Sequence, residues 1–240
     1  MRGIYSALSG AKARMEMLDT ISHNMANMKT PGFKKGRTVF EAALSEAQSG
    51  NGTNGVNLTN IREGFSDFSQ GVITRTGQPF DMAITGGGFF KVRDDQGNFY
   101  YTRQGNFNQD TEGNLVAAGG FKLVDEGGEP IAIEGSEVTI GEDGTMQMAS
   151  GATKKIPLYN VEDETQLERL GGAFFTLKSG EAVLVEKPMV LQGSLEESNV
   201  NIMQEMGRMV EAMRVFETTQ RAIKTYGTLG EKLNEIGTIG

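Results

Sequence analysis

The only imidazole in the chain is His23, and a lone histidine does nucleophilic or general-base work only when a serine and a carboxylate are brought to it. Its surroundings, Ser22-His23-Asn24-Met25-Ala26-Asn27 with Lys29 and Lys34 downstream, predict polar contacts near a helix end instead. Carboxylates cluster at Asp94-Asp95 and Glu162-Asp163-Glu164. Acid–base catalysis by such groups needs burial to raise a pKa, whereas acidic residues beside glycine-rich turns stay solvated. The oxygen-rich turns lack the Asp-x-Asp-x-Asp-Gly spacing and the twelfth-position glutamate of a calcium loop. Gly86-Gly87-Gly88 lacks the Lys-Ser/Thr ending of a phosphate loop and the helix of a dinucleotide site, so it reads as a tight turn or bulge. With no cysteine in 240 residues, thiolate nucleophiles, disulfides and cysteine metal sites are excluded. The expectation is a non-enzyme with no catalytic residues, no cofactor and no metal.

What the sequence does specify is a scaffold. A length of 240 residues with 38% hydrophobic content supports a packed core. A formal charge of -8 offers no general basic surface for nucleic acid. No stretch approaches the ~20 apolar residues of a membrane span, and the uncharged run Gly3 to Ala11 is cut short by Lys12 and Arg14, unlike a secretory signal. Charge is partitioned: residues 1 to 40 carry +5, residues 200 to 240 carry 0, and the middle carries -13 together with 24 of the 33 glycines. Both ends read as helix and the middle as short strands separated by turns.

Ile4, Leu8, Ala11, Met15, Leu18, Ser22 and Met25 step by alternating fours and threes, the heptad spacing that keeps one stripe against a partner helix. Pro31 and Gly32 end this helix, placed near residues 3 to 28. Ile202, Met206, Met209, Met213, Phe216, Gln220 and Ile223 repeat the alternation after Ser198-Asn199, which suits a helix cap. A phase shift at Gly227 and Gly230 points to a kink or a change of packing there. Pairing the two helices with each other leaves Ala7, Ile21, Met203 and Val210 uncovered, so further chains are expected. Lone helices of this kind are marginal, and both ends are expected to order on assembly.

Between them, strands are expected at Phe80 to Thr85, Phe89 to Arg93, Phe99 to Arg103, Leu115 to Ala118, Phe121 to Val124, Ile131 to Ile133, Val138 to Ile140, Ile156 to Val161, Phe174 to Leu177 and Ala182 to Leu191. Turns at Asp94 to Asn98, Thr111 to Asn114, Asp125 to Gly128 and Glu142 to Gly144 separate several of them. Phe40 to Ala47 suits a short helix and Ser49 to Gly55 a flexible linker. Gly64 to Val72 suits either a hairpin or an extended strap. The fold class is α+β: N- and C-terminal helices forming a coiled-coil-like assembly domain with an inserted antiparallel all-β domain. Its parts are a helix at 1–33, a linker or strap at 34–75, a β-rich outer domain at 76–192 and a second helix at 193–240.

Ala7-Leu8-Ser9-Gly10 followed by the run from Ser22 to Lys34 resembles the N-terminal signature of bacterial flagellar rod and hook proteins. Asn24, Ala26, Asn27, Thr30, Gly32 and Phe33 fall on its characteristic positions. Further resemblance runs through Asp67-Phe68-Ser69-Gln70-Gly71, through Thr76 to Ile84 into Gly86-Gly87-Gly88-Phe89-Phe90, through Tyr101-Thr102-Arg103-Gln104-Gly105-Asn106-Phe107, and into Ser198-Asn199-Val200 with the helix after it. Nearly the whole chain is covered in order. Arg214-Val215-Phe216-Glu217 and the modest length look more like the proximal than the distal rod subunits, and the length is unlike a hook subunit. The resemblance implies a structural subunit of the basal-body rod, exported unfolded without a cleavable signal and located in the periplasmic section. Its partners would be copies of itself, other proximal and distal rod proteins, the flagellar export apparatus and the surrounding ring proteins. The terminal helices would line the axial channel, with the β domain outward, in a shaft that transmits torque. A different class, an oligomeric periplasmic binding module, is the rival reading.

Overall fold

A computed structural model describes residues 2–44, 57–133, 135 and 138–237, with side chains at 7–39, 64–133, 135 and 138–229. Two compact units emerge. One comprises the described residues among Met1–Ala26, Gly36–Phe65 and Asn201–Gly240, the other Asn27–Lys35 and the described residues of Ser66–Val200. The architecture is α+β, with a helix at each end and antiparallel strands between.

The helical unit holds α1 (Arg2–Ala26), α2 (Ile202–Gly237) and a two-stranded sheet of β1 (Gly36–Leu44) and β2 (Asn57–Ser66). The short helix expected at Phe40 to Ala47 is therefore corrected: residues 40–44 are strand, and 45–47 lie outside the described residues, as does the expected linker Ser49 to Gly55. Its β-branched start, Thr38-Val39, suits a strand, and Thr38 is tied to α1 through Thr20 Oγ1 at 3.1 Å. The second helix begins after Asn201, not after Ser198-Asn199. Asn201 Oδ1 accepts from the Gln204 amide at 3.1 Å, the N-cap geometry. α2 also runs unbroken through Gly227 and Gly230, where the phase shift had pointed to a kink or a change of packing.

α1 and α2 pack along each other. The contact face of α1 carries Ala13, Met17, Ile21 and Asn24, and that of α2 carries Glu205, Met209, Ala212, Phe216 and Ile223, all buried or half-buried. Ile21, expected to lie uncovered, is buried, because α1 pairs through a stripe other than its heptad seam, whereas α2 brings Met209, Phe216 and Ile223 of its seam to the contact.

The β-rich unit is organised around Phe89–Arg93, which pairs with Phe99–Thr102 along one edge and with both Leu158–Asn160 and Lys122–Leu123 along the other. Alternation sends Phe90 and Val92 into a core with Met82, Ile84, Leu115, Leu123, Ile131, Met146, Ile156 and Leu158. Phe89 points to the opposite face, beside Tyr101, Tyr159, Leu167 and Phe175. The strands expected at Phe89 to Arg93, Val138 to Ile140 and Phe174 to Leu177 match the observed bounds. Ala182 to Leu191 splits into Val183–Leu184 and Val190–Gln192, and Ile131 to Ile133 contributes only the isolated bridge of Ala132 with Asn114.

Six loops among the described residues share one hydrogen-bonding scheme. In each, the first residue donates its amide to the fifth residue's carbonyl, and a glycine at the fourth position donates back to the first residue's carbonyl. They begin at Asp94, Asp110, Ala117, Asp125, Gly141 and Met148. The fourth-position glycines, Gly97, Gly113, Gly120, Gly128, Gly144 and Gly151, all have φ between 77° and 91°, a left-handed conformation that closes a type I turn with a bulge. Where the first residue is Asp, its carboxylate reinforces the loop: that of Asp94 accepts from the amides of Gln96 and Asn98 at 2.9 and 2.8 Å and from the Asn98 side chain at 2.9 Å.

These bonds hold Asp94 below the usual carboxylate range, the Asn98 side chain contributing most, and the Thr145 amide and hydroxyl do the same for Asp143. A carboxyl group with a depressed folded pKa adds stability above its ordinary value, and that contribution is lost as pH falls through the folded value. Thermal melts followed by circular dichroism are expected to be flat down to about pH 5 and to drop below about pH 4. Asp94→Asn should flatten part of that drop.

Candidate assembly interface

The heptad seams lie beside the intrachain contact face on both helices. On α1, Leu8 and Met15 are exposed, Leu18 and Met25 half-buried, and Ala11 buried; the side chain of Ile4 lies outside those described. On α2, Ile202, Met206 and Met213 are exposed, while Met209, Phe216 and Ile223 are half-buried edge positions shared with the intrachain face. At 100° per residue, the α1 seam is centred somewhat more than a third of a turn from its contact face, and the α2 seam only about an eighth of a turn from its own. Met203 and Val210 extend the α2 stripe and are exposed as expected. An isolated chain thus presents exposed apolar seam positions on each helix, Leu8 and Met15 on α1 and Ile202, Met206 and Met213 on α2.

Apart from the exposed Ala26, the signature residues hold the backbone rather than facing solvent. Asn24, 1% exposed, grips the start of β1 with both ends of its amide: Oδ1 accepts from the Gly36 amide at 2.8 Å, and Nδ2 donates to the Gly36 carbonyl at 2.9 Å. Nδ2 also reaches Glu205 Oε2 at 3.4 Å, so this side chain touches α1, β1 and α2. Arg208 supports Glu205 from the next turn at 3.2 Å. Ala26 and His23 are exposed.

The rest of the signature belongs to the β-rich unit. Asn27 accepts from the Thr30 amide and hydroxyl at 3.1 and 3.2 Å, and the Phe33 amide bonds the Thr30 carbonyl at 3.2 Å, winding a compact turn around Pro31. Gly32 has φ +66°, and a Cβ there would lie 2.3 Å from the Arg103 carbonyl carbon, so no larger residue fits. Phe33 is fully buried under the Arg169 guanidinium, 4.5 Å from its ring, and the same guanidinium lies 4.8 Å from Phe175. Arg169 also donates to the Lys34 carbonyl and, at 2.9 Å, to Ser66 Oγ. Burial pushes Arg169 down to about 10, which leaves it charged near neutral pH.

The densest polar cluster centres on Glu196, which was not among the residues singled out in the sequence. Its carboxylate accepts from Lys34 Nζ at 2.5 Å, the Gly71 amide at 2.8 Å and Arg103 Nη1 at 3.3 Å. Its own carbonyl accepts from the Gly32 amide at 2.7 Å. The side chains of Lys34, Glu196 and Arg103 are 1, 0 and 5% exposed, so two cations share one anion away from water. Burial lowers the Lys34 and Arg103 pKa values, and Glu196 opposes the shift in both.

The remaining signature residues surround this cluster. Arg103 Nη2 donates to the Gly86 carbonyl at 2.7 Å, and its guanidinium lies 5.3 Å from the Phe89 ring. Phe68 stands edge-on to Phe89 with centroids 5.3 Å apart. Gly88, at φ +113°, sits close to Val185 and Leu158. Asn199 accepts from the Lys35 amide at 2.7 Å and donates to the carbonyls of Asp67 and Ser69 at 2.8 and 3.0 Å, while Ser198 Oγ accepts from the Val200 amide at 3.3 Å. Segments drawn from residues 27–35 and 193–200 are thereby built into the β-rich unit; the sequence division had grouped 27–33 and 193–200 with the helices and 34–35 with the linker.

Helical ends with open apolar seams, together with a β-rich unit fastened by charge, define an assembly subunit. Family comparison agrees with that class. The model "Flagella basal body rod protein" matches residues 4–34, "Flagellar hook protein FlgE/F/G D1 domain" residues 83–148, and "Flagellar basal body rod FlgEFG protein C-terminal" residues 191–236. The flagellar basal-body rod protein FlgG of Buchnera aphidicola subsp. Schizaphis graminum is 31% identical over 258 residues, covering 97% of this chain and 98% of its own. The rod protein FlgF of Mesorhizobium japonicum is 30% identical over 239 residues, covering 98% and 97%. The flagellar hook protein FlgE of Brucella abortus is 37% identical over 98 residues, covering 41% of this chain and 24% of its own. The chain belongs to the flagellar basal-body rod protein family and is a structural subunit of the rod. No helix among the described residues is long and apolar enough to cross a membrane.

Proposed function

We propose that the chain is a proximal, FlgF-type rod subunit that polymerises through the open seams of α1 and α2. The observation that carries this is the set of apolar seam side chains left exposed on each helix beside the intrachain face. A helix pair that buried its heptad positions internally would have nothing left for a neighbour, whereas here Leu8, Met15, Ile202, Met206 and Met213 remain open. A head-to-tail contact whose rotation does not close generates the open helix a shaft requires. Both ends gain their full order in that contact. The subunit's role is architectural, conveying motor torque without catalysing a reaction, and the structural character of its family supports that reading.

Alignment length supports the proximal assignment. Against the Mesorhizobium FlgF, 239 aligned positions accommodate 98% of a 240-residue chain, almost without gaps. Against the Buchnera FlgG, 258 positions accommodate 97% of it, so about two dozen FlgG positions have no counterpart here. Placement in the periplasmic section, passage through the flagellar export apparatus and contact of the acidic β-rich unit with ring proteins follow from the same reading. Cryo-electron microscopy of isolated basal bodies tests it. Density for this chain is expected beneath the distal rod with both helices lining the channel. Density along the distal section would reassign it to the FlgG type, and absence from the axial structure would overturn the rod placement.

A further inference from the structure

Four of the 13 methionines lie between residues 203 and 213. Met203, Met206 and Met213 are 78, 48 and 46% exposed and form one stripe with Val210, whereas Met82 and Met146 in the β-rich core are fully buried. Leucine would supply similar apolar volume and helix propensity without a reactive atom. A thioether differs in that its sulfur is oxidised whenever solvent and an oxidant reach it.

We propose that Met203, Met206 and Met213 are an oxidation-sensitive modification site: peroxide converts them to sulfoxides in the free chain, and the modified chain is barred from the rod. This rests on the reading of their stripe as an assembly face. The step is a two-electron oxygen transfer. The sulfur lone pair attacks one peroxide oxygen, the O–O bond breaks, the S–O bond forms, and after proton transfer the other oxygen leaves as water. The sulfoxide oxygen is a strong acceptor carried into a contact that offers apolar partners, and its desolvation is uncompensated. In an assembled rod the same sulfurs are covered by the neighbour, so oxidation selects against subunits before incorporation and spares those already built in. Methionine sulfoxide reductases reverse the modification, so exclusion is temporary.

Met189 provides the internal reference, being 49% exposed but on the β-rich unit. Peroxide treatment of the purified full chain, read by peptide mass spectrometry, is expected to oxidise Met203, Met206, Met213 and Met189 on the order of tenfold faster than Met82 and Met146. In peroxide-stressed cells, wild-type chain should be depleted from isolated basal bodies by a similar factor. The variant Met15→Leu/Met203→Leu/Met206→Leu/Met213→Leu, which also removes the exposed thioether of the α1 seam, should be retained, and Met189→Leu should behave as wild type. Overproduction of methionine sulfoxide reductases should restore the wild-type chain, a readout independent of any variant. Equal sulfoxide levels at these three positions in rods and in the free pool would overturn the proposal, as would a reductase that restores nothing. If Met206→Asp incorporates normally in unstressed cells, the assembly-face reading fails; if it is excluded while sulfoxide-bearing chain is not, only the oxidation proposal fails.

Discussion

Glutamine in place of Glu196 is expected to destabilise the β-rich unit by about 3–5 kcal/mol. The substitution keeps the shape and a hydrogen-bond acceptor but leaves Lys34 and Arg103 as buried cations without a counter-charge. The pH dependence separates this cause from lost packing. Burial already lowers the Lys34 pKa, and without the carboxylate it falls further. A basic group whose folded pKa lies below its unfolded value makes stability rise with pH between the two. Urea unfolding should therefore show the deficit shrinking from neutral pH toward about pH 10, where a mere cavity would show a constant deficit.

Aspartate at Met206 is expected to prevent incorporation into the rod while leaving the unfolding curve of the free chain nearly unchanged. The side chain is about half exposed in the single chain, so the carboxylate is solvated until a neighbour arrives. On docking it becomes an unpaired charge in a desolvated seam, costing about 3 kcal/mol or more, a hundredfold or greater loss of association. Loss of swimming on soft agar together with a native melting curve is the expected pair of results. Thr218→Asp, on an exposed face away from the stripe, should swim normally. Met209→Asp and Leu18→Asp should also block assembly, but both residues are half-buried in the single chain, and their loss of stability would accompany the loss of assembly.

How much of this was legible in the sequence depended on the range of the interaction. Heptad spacing placed both helices, and short aromatic and β-rich runs between turn signals placed Phe89–Arg93 and Phe174–Leu177, because those signals are local. Four of the six shared loops announced themselves through Asp, Asn and Gly; those at Ala117 and Met148 did not, since only their fourth-position glycine carries the geometry. Residues 40–44 were misread as helix because Phe40-Glu41-Ala42-Ala43-Leu44 has good helix formers, a preference overridden by pairing with β2. The Glu196 cluster was invisible for a different reason. Its members are 34, 103 and 196, and no short-range pattern announces an ion pair closed across such distances. Gly105 belongs to the same category: a Cβ there would lie 1.6 Å from the Met82 carbonyl oxygen, a constraint visible only once the two segments meet.

The separation of Lys34 from Glu196, 162 residues along the chain, also sets an order of events. Five-residue loops close within their own sequence and meet little loop-closure entropy, so the hairpins can form as soon as their residues are free. The charged cluster has to wait for both distant segments, because without Glu196 neither Lys34 nor Arg103 has its counter-charge, and without Lys34 the cluster lacks one of its two cations. Its closure is accordingly a late, chain-wide checkpoint: a subunit truncated or delayed at either end keeps its hairpins but does not lock. Refolding experiments should see this as a slow phase in the burial of the cluster following rapid gain of strand signal.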